Sequence, residues 1–285
     1  MQQSVSNFKA VDKKDAKLAL AHMYVAFIAL LLGGLAGLLQ VLVRSGEFVL
    51  PAGIKISYYQ VLTVHGVLLG LILTTFFILG FQVASVSRTA GPFTDKQRLI
   101  GWIGFWLMTI GTAAAAVMVL LNKATVLYTF YAPLMAHWIF YLGLTLVVVG
   151  SWLVCAIQLM RHFQWKKENP GKTTPLMSFM SVTNSILWLV CTLGVAIEVL
   201  FFLLPWSLGI VDRVDVLLTR TLFWYFGHAL VYFWLLPAYM AWYVVVTKVI
   251  GAKIFSDSLA RMSFMLFLLF SFPVGLHHQL TEPGI

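Results

Sequence analysis

The stretch TLFWYFGHALVYFWLLPAYMAWY, residues 221–243, places a histidine inside a long apolar run and lets three tyrosines follow it. A helix needs about 20 predominantly apolar residues to cross a bilayer, and this run is long enough. Polar side chains inside hydrocarbon are costly, so they are functional candidates by default. The stretch therefore predicts a transmembrane helix that carries a polar site at His228.

The composition extends this prediction to the whole chain. Of the 285 residues, 61% are hydrophobic and only 10% are charged, whereas an average soluble protein has about 25% charged residues. Backbone groups in lipid must be satisfied internally, so each apolar run is predicted to be a helix. We expect an all-α, polytopic membrane helix bundle, a single membrane domain over 1–285 with a cytoplasmic N-terminal segment, 1–16. Its seven transmembrane helices are predicted at 17–43, 57–87, 98–121, 126–160, 176–204, 216–247 and 258–280.

The basic residues predict the orientation. The net charge is +9, but lysine and arginine lie mostly between the apolar runs, which favours a topological role over a nucleic-acid partner. The N-terminus and alternate loops hold fourteen of these residues and the opposite side holds five. Cytoplasmic loops are enriched in lysine and arginine, so we expect the N-terminus to be cytoplasmic.

Three predicted helices bring four histidines to the outer half of the bilayer. At 1.5 Å per residue, His65 lies about 12 Å and His228 about 18 Å from the outer surface. His277 and His278 fall in the last turn of the final predicted helix. Three neutral imidazoles suit copper, zinc or iron, and the alternative is ordinary hydrogen-bonded packing.

Adjacent histidines on a regular helix point about 100° apart. His277 and His278 can share one metal only if the helix is distorted or ends there. Pro273 and Gly275 permit such a distortion.

Tyr232 follows His228 by four residues and shares its helix face. Tyr239 and Tyr243 continue that face toward the cytoplasm. The stripe fits either a proton relay or aromatic packing, and we favour the relay. Glu198 is the clearest acid within a span, and could be protonated, paired or part of a proton exit.

The remaining histidines and the cysteines allow simpler interpretations. His65, next to Gly66, fits either a haem ligand or a packed polar residue. We expect His137 to be a packing residue and His22 and His162 to be interfacial. Cys155 and Cys191 are interpreted as buried small hydrophobic residues.

Four stretches together carry a family resemblance. They are YYQVLTVHGVLLGL, LYTFYAPLMAHWIFYLG, TLFWYFGHALVYFWLLPAYMAWY and FPVGLHHQLTEPGI. With them, the chain resembles the N-terminal half of subunit I of haem–copper terminal oxidases, specifically the type B, b(a/o)3-like branch. The stretches span nearly the whole chain.

The resemblance implies roles for the residues that match the family's motifs. His65 would be an axial ligand of a low-spin haem b, and His228, His277 and His278 would bind copper. Tyr232 would be the active-site tyrosine, which in this family is covalently joined to the copper ligand one turn earlier. Tyr239 and Tyr243 match the family's proton path. A high-spin haem of a- or o-type would complete the site, with its axial ligand outside this chain.

The resemblance also implies an activity and partners. The complete subunit would lie in the plasma membrane of a prokaryotic cell and reduce O₂ to water with transmembrane proton movement. Its partners would be an oxidase subunit II, with or without a dicopper centre, cytochrome c or quinol as electron donor, and the C-terminal remainder of subunit I. The alternatives are a nitric oxide reductase-like member of the superfamily and a non-redox seven-helix transporter or receptor. Tyr232 argues against the first, and the absence of lysine from 258–280 argues against a retinal pump.

Some residues depart from the family pattern. Ala229 and Ala132 stand where prolines are usual, and Leu230 replaces a glutamate found in a larger branch, which favours type B. The seven histidines include no His-x-His pair, although the family uses such a pair to bind both haems. The resemblance therefore implies a fragment, or one piece of a split subunit, that is inactive alone.

Overall fold

The structure is a computed structural model that describes residues 10–49 and 56–280. Within those ranges it is all-helical, with no strand. Seven α-helices follow one another along the chain and end in a short 3₁₀ helix, Pro273–His278. The helices are α1 (Lys13–Ser45), α2 (Tyr58–Ala90), α3 (Asp95–Leu120), α4 (Trp138–Glu168), α5 (Leu176–Ser207), α6 (Val216–Val249) and α7 (Asp257–Phe270).

Six of these helices, α1 to α6, are long and apolar enough to cross a membrane. The predicted count of seven is not confirmed, because α7 has only 14 residues. Proline lacks an N–H donor and clashes with the carbonyl four residues earlier, so α7 ends before Pro273. The predicted seventh span, 258–280, is therefore α7 followed by a turn and the 3₁₀ helix.

The fourth predicted span, 126–160, begins too early. Residues 121–137 form an irregular segment, and α4 begins only at Trp138. Part of its apolar character reflects burial, since Val126 and Phe130 lie in the bundle interior. Side-chain contacts satisfy part of its backbone: Leu127 N donates to the Thr63 hydroxyl at 3.0 Å. Hydrophobicity alone could not distinguish a buried loop from a helix here.

Helices α3 and α4 pack against each other through glycines spaced seven residues apart. A Cβ atom on Gly104 would lie 2.6 Å from the carbonyl oxygen of Gly150, and one on Gly143 would lie 2.6 Å from that of Gly111. Small residues at such crossings let two backbones approach closely, which favours helix association in membranes.

One end of the bundle gathers the starts of α1, α3, α5 and α7 and the ends of α2, α4 and α6; we name it the basic end. Asp15, in the first turn of α1, is fully buried there. It accepts hydrogen bonds from Ser87 Oγ (2.5 Å), Phe93 N (3.1 Å) and Arg98 Nε (2.7 Å). A buried carboxylate needs such partners, and here they join α1 to the α2–α3 corner.

A second arginine closes the next corner of the basic end. Arg161 of α4 donates to the Ala90 carbonyl from Nε (2.9 Å) and Nη2 (2.6 Å), and it pairs with Glu168 at 2.7 Å. The last carbonyls of α2 would otherwise lack intrahelical partners.

Two histidines that are predicted to be interfacial are buried between helices. His22 is fully buried, with Nδ1 2.8 Å from the Leu18 carbonyl and its ring between Phe76 and Phe105. His162 is also buried, with Nδ1 3.3 Å from Ser178 Oγ. Both rings face neighbouring helices, and their depth in the membrane stays a prediction. Cys155 and Cys191 are buried and free, as predicted.

Two helices contain π-helical turns. In α2 the turn spans Val67–Leu73, and in α5 it spans Glu198–Leu203. Such turns are rare and frequently lie at functional sites. The first follows His65 by two residues, and the second begins at Glu198 itself.

The glycine packing between α3 and α4 predicts that the effect of a Gly→Ala substitution on stability depends strongly on its position. Gly104→Ala should lower the free energy of unfolding by about 1–3 kcal/mol, because the added methyl group collides with a backbone carbonyl. Gly34→Ala is the matched control, since a Cβ there meets nothing within 4 Å. Thermal unfolding in detergent compares the two variants, and equal midpoints would contradict the packing described.

Candidate metal centre

The structure brings together the three histidines predicted to share a metal. His228 lies on α6, and His277 and His278 lie at the end of the 3₁₀ helix. One nitrogen from each ring lies within 4.8 Å of the other two. The closest pair is His228 Nδ1 and His278 Nε2, at 3.2 Å. Nitrogens that share one ion sit about 2.0–2.1 Å from it, so the three rings are near enough to converge on one ion after a local rearrangement.

The break in α7 makes this cluster possible. After Phe270 the chain tightens into Pro273–His278, so the two adjacent imidazoles leave the direction of α7. Their rings lie 4.2 Å apart, and both approach His228, at 4.6 Å for His277 and 5.4 Å for His278.

Gly275 allows the 3₁₀ helix to lie against α6. It is buried, and a Cβ added there would be 3.1 Å from the Cβ of His228. The sequence indicated that Gly275 could permit a distortion, and the structure adds a second reason for a glycine, which is the close approach to the metal-site helix.

The three histidines of the cluster differ in solvent exposure. His228 is buried, His278 is half-buried and His277 is exposed. Nε2 of His228 is buried and has no hydrogen-bond partner among the described residues. An unsatisfied buried polar atom costs about 1–3 kcal/mol. If the ring turned this nitrogen toward His277 and His278, a bound metal would satisfy it, so the site fits such an ion.

Trp224 is a site residue that the sequence analysis missed. Its ring stacks on His278 with centroids 3.6 Å apart and planes 5° apart. It precedes His228 by four residues and so shares its helix face; that spacing was the available signal. The stacking fixes the orientation of the His278 ring.

Trp224 has a further aromatic contact on the side away from the basic end. Tyr131, from the buried loop, has its ring 6.4 Å from that of Trp224. The guanidinium of Arg220 lies 4.9 Å from the centre of the Tyr131 ring, a cation–π distance. The loop that replaced the predicted start of α4 thus supports the stacked tryptophan.

Tyr232 lies beside the cluster, with its ring 5.0 Å from that of His228. Tyr239 and Tyr243 lie further along α6 and pack toward α7 at the basic end. Phe267 of α7 contacts both Tyr232 and Tyr239, at 5.9 Å and 5.6 Å between ring centres. The three tyrosines therefore share the α7-facing side of α6.

His65 lies apart from the cluster, on α2 against α1. Its Nδ1 is 2.9 Å from the Gly33 carbonyl. That carbonyl can only accept, so Nδ1 carries the proton and Nε2 is left free to bind a metal. A Cβ on Gly37 would lie 2.6 Å from Nδ1, so this glycine makes room for the ring. The sequence analysis missed both α1 glycines, although their spacing of four residues marks one helix face.

Glu198 is fully buried within α5. Neither of its carboxylate oxygens has a hydrogen-bond partner in the described part of the chain. Of the three roles considered, pairing with a described side chain is not observed. His137, predicted to be a packing residue, caps α4 by accepting from Ile139 N at 3.3 Å.

Three histidines held between two helices of a hydrophobic bundle define a membrane protein with a candidate transition-metal centre. The family described as Cytochrome C and Quinol oxidase polypeptide I matches residues 17–285. The chain therefore belongs to the subunit I family of haem–copper oxidases, and this membership implies haem and copper as cofactors. With six candidate spans, it is an integral membrane protein.

Similar proteins support the assignment. Cytochrome c oxidase subunit 1 of Thermus thermophilus is 43% identical over 276 residues, which are 95% of this chain and 49% of that protein. A haem-copper oxidase subunit I+III of Aeropyrum pernix is 25% identical over 94% of this chain and 34% of its own length.

A solved structure shows the same fold. A chain in a cryo-EM structure of a haem-copper terminal oxidase dimer superposes with a TM-score of 0.90 and 47% identity, covering 96% of this chain and 48% of that one. The chain thus spans about half the length, or less, of the relatives it matches.

The stacked tryptophan predicts an effect on the metal. In a complete subunit, Trp224→Leu should weaken copper binding about tenfold, since residues that orient metal ligands contribute on this scale. Trp106→Leu is the matched control, because Trp106 is exposed on α3. Copper retention against a competing chelator is measured for both variants. Equal retention would show that the stacking does not hold His278.

Proposed function

We propose that this chain forms the copper-binding half of the oxygen-reducing core subunit of a respiratory terminal oxidase. The observation that carries the proposal is the convergence of His228, His277 and His278. Neutral imidazoles suit copper, and the family that the chain belongs to uses haem and copper. O₂ is the proposed substrate.

We assign the cofactors to named side chains. His228, His277 and His278 would hold copper, and Nε2 of His65 would bind the low-spin haem, which we propose to be haem b. A high-spin haem of a- or o-type would lie beside the copper, ligated from outside this chain. When bound, these groups would relay electrons from the donor and provide the metal sites at which O₂ is reduced to water.

The chain's own residues would orient the metal ligands and supply protons to the site. Trp224 holds the His278 ring, and the Gly33 carbonyl holds the His65 ring, so two ligands are fixed before a metal arrives. Tyr232, beside His228, can donate a proton from its hydroxyl. Tyr239 and Tyr243 would pass protons toward it from the basic end. Glu198 would form part of a proton exit.

The orientation and partners complete the proposal. The basic end, with the N-terminal segment 1–16, would face the cytoplasm of a prokaryotic cell by the positive-inside rule. Leu230 favours the type B branch with one proton route. A subunit II, with or without a dicopper centre, would deliver electrons from cytochrome c or quinol. The C-terminal remainder of subunit I would complete the haem ligands around the single domain 1–285.

The decisive test removes one proposed ligand. In the complete oxidase, His278→Ala should abolish copper binding and reduce O₂ uptake to background, because two imidazoles cannot complete the site. His137→Ala is the control, since His137 caps α4 away from the cluster. Copper analysis and oxygen-electrode rates are the measurements.

Normal copper and normal O₂ uptake in His278→Ala would overturn the proposal. Iron at this position in place of copper would instead indicate a nitric oxide reductase-like enzyme. A protein with no haem absorption band would point to a transporter.

A second prediction concerns the proposed haem ligand. Gly37→Ala should displace the His65 ring from the Gly33 carbonyl, because the added methyl group would lie 2.6 Å from Nδ1. We expect a shifted low-spin haem band and haem occupancy reduced about tenfold or more. Gly34→Ala, whose Cβ meets nothing within 4 Å, is the control. Identical reduced-minus-oxidised spectra in both variants would show that His65 does not bind this haem.

A further inference from the structure

A cationic cleft opens at the basic end, away from the histidine cluster. It has a volume of about 480 Å³ and lies between the end of α4, the α4–α5 connection, the start of α5 and α7. Lys166, Lys172 and Arg261 line it, together with His162, and no aspartate or glutamate does. The sequence analysis attributed the lysines only to orientation in the membrane.

The nearest carboxylates are already engaged. Glu168 pairs with Arg161 at 2.7 Å, and Asp257 pairs with Arg261 at 2.6 Å. Lys172 Nζ donates to the neutral side chain of Asn169 at 3.3 Å. Within residues 10–49 and 56–280, neither Lys166 nor Lys172 has a carboxylate partner, so both ammonium groups are available to an anion.

Arg261 forms a fixed wall of the cleft. It donates to the Thr174 carbonyl at 2.7 Å as well as to Asp257, and its guanidinium lies 5.0 Å from the centre of the Phe179 ring. These contacts tie α7 to the start of α5. The site is therefore shaped by the packing of three helices.

The start of α5 adds a second attraction for anions. Its N-cap is Pro175, and no side chain caps the first turn. The free N–H groups and the positive end of the helix dipole point out of this terminus. Thr174 and Phe179, on either side of that turn, both line the cleft. Lining cations beside the positive end of a helix match a phosphoryl group.

The surroundings indicate a lipid as the source of that group. Phe163 lies one turn before Lys166 on α4 and is 59% exposed. Met262, next to Arg261 on α7, is 52% exposed. Apolar side chains exposed on the sides of a membrane bundle face acyl chains. We propose that this cleft binds the phosphoryl headgroup of an anionic phospholipid, whose chains lie against the adjoining apolar surface.

The test compares two double variants of equal net charge in the complete oxidase. Lys166→Gln with Lys172→Gln removes the lining ammonium groups. Lys167→Gln with Lys96→Gln removes two exposed lysines, neither of which lines the cleft. Phosphatidylglycerol diluted into phosphatidylcholine vesicles is the probe, and native mass spectrometry counts the lipid that stays bound.

We expect the lining variant to bind phosphatidylglycerol about fivefold more weakly for each lysine removed. The control variant should bind like the unchanged protein. Lys166→Arg with Lys172→Arg should restore binding, because the charges return. This restoration separates loss of the site from loss of the fold.

If phosphatidylglycerol binding weakened equally in both glutamine variants, the proposed site would be overturned, because overall charge would then explain the binding. Equal retention in both would overturn it as well. Inorganic phosphate distinguishes the source: if it binds and phosphatidylglycerol does not, the lipid assignment fails in favour of a soluble ligand. None of these outcomes depends on copper or on O₂ uptake.

Discussion

The interruption of α7 before Pro273 is the constraint on which the candidate metal centre depends. In an uninterrupted helix, His277 and His278 would point about 100° apart, and at most one would face α6. The helix instead ends at Phe270, and the following 3₁₀ turn brings both rings to His228. The same interruption leaves α7 too short to count as a span. A shortened helix and a three-imidazole cluster are thus two results of one local feature.

The sequence predicted most of this cluster because its signals are local. Histidines inside apolar runs are rare enough to attract attention, and the proline and glycine before His277 marked the necessary distortion. Partners supplied by other elements were not predictable from the sequence. Trp224 needed the His278 ring to be placed before its stacking was visible, and Gly33 needed α1 to be docked on α2.

The errors in the predicted spans share one physical cause. Hydrophobicity reports burial in an apolar environment, and a helix in lipid and a loop in the bundle interior both satisfy it. The buried residues of 121–137, such as Val126 and Phe130, fill the interior, and the segment supports Trp224 through Tyr131. The burial of His22 and His162 was not predicted, because position along a span does not reveal which face a side chain occupies.

The π-helical turn in α2 has a consequence for how that helix meets its neighbours. A wide turn accommodates one extra residue, which offsets the two halves of a helix by roughly 100°. Before the turn, His65 faces the glycines of α1; after it, Phe76 meets His22 and Phe105. Because of this phase offset, both halves of α2 can stay in contact with α1, while the second half also reaches Phe105 of α3.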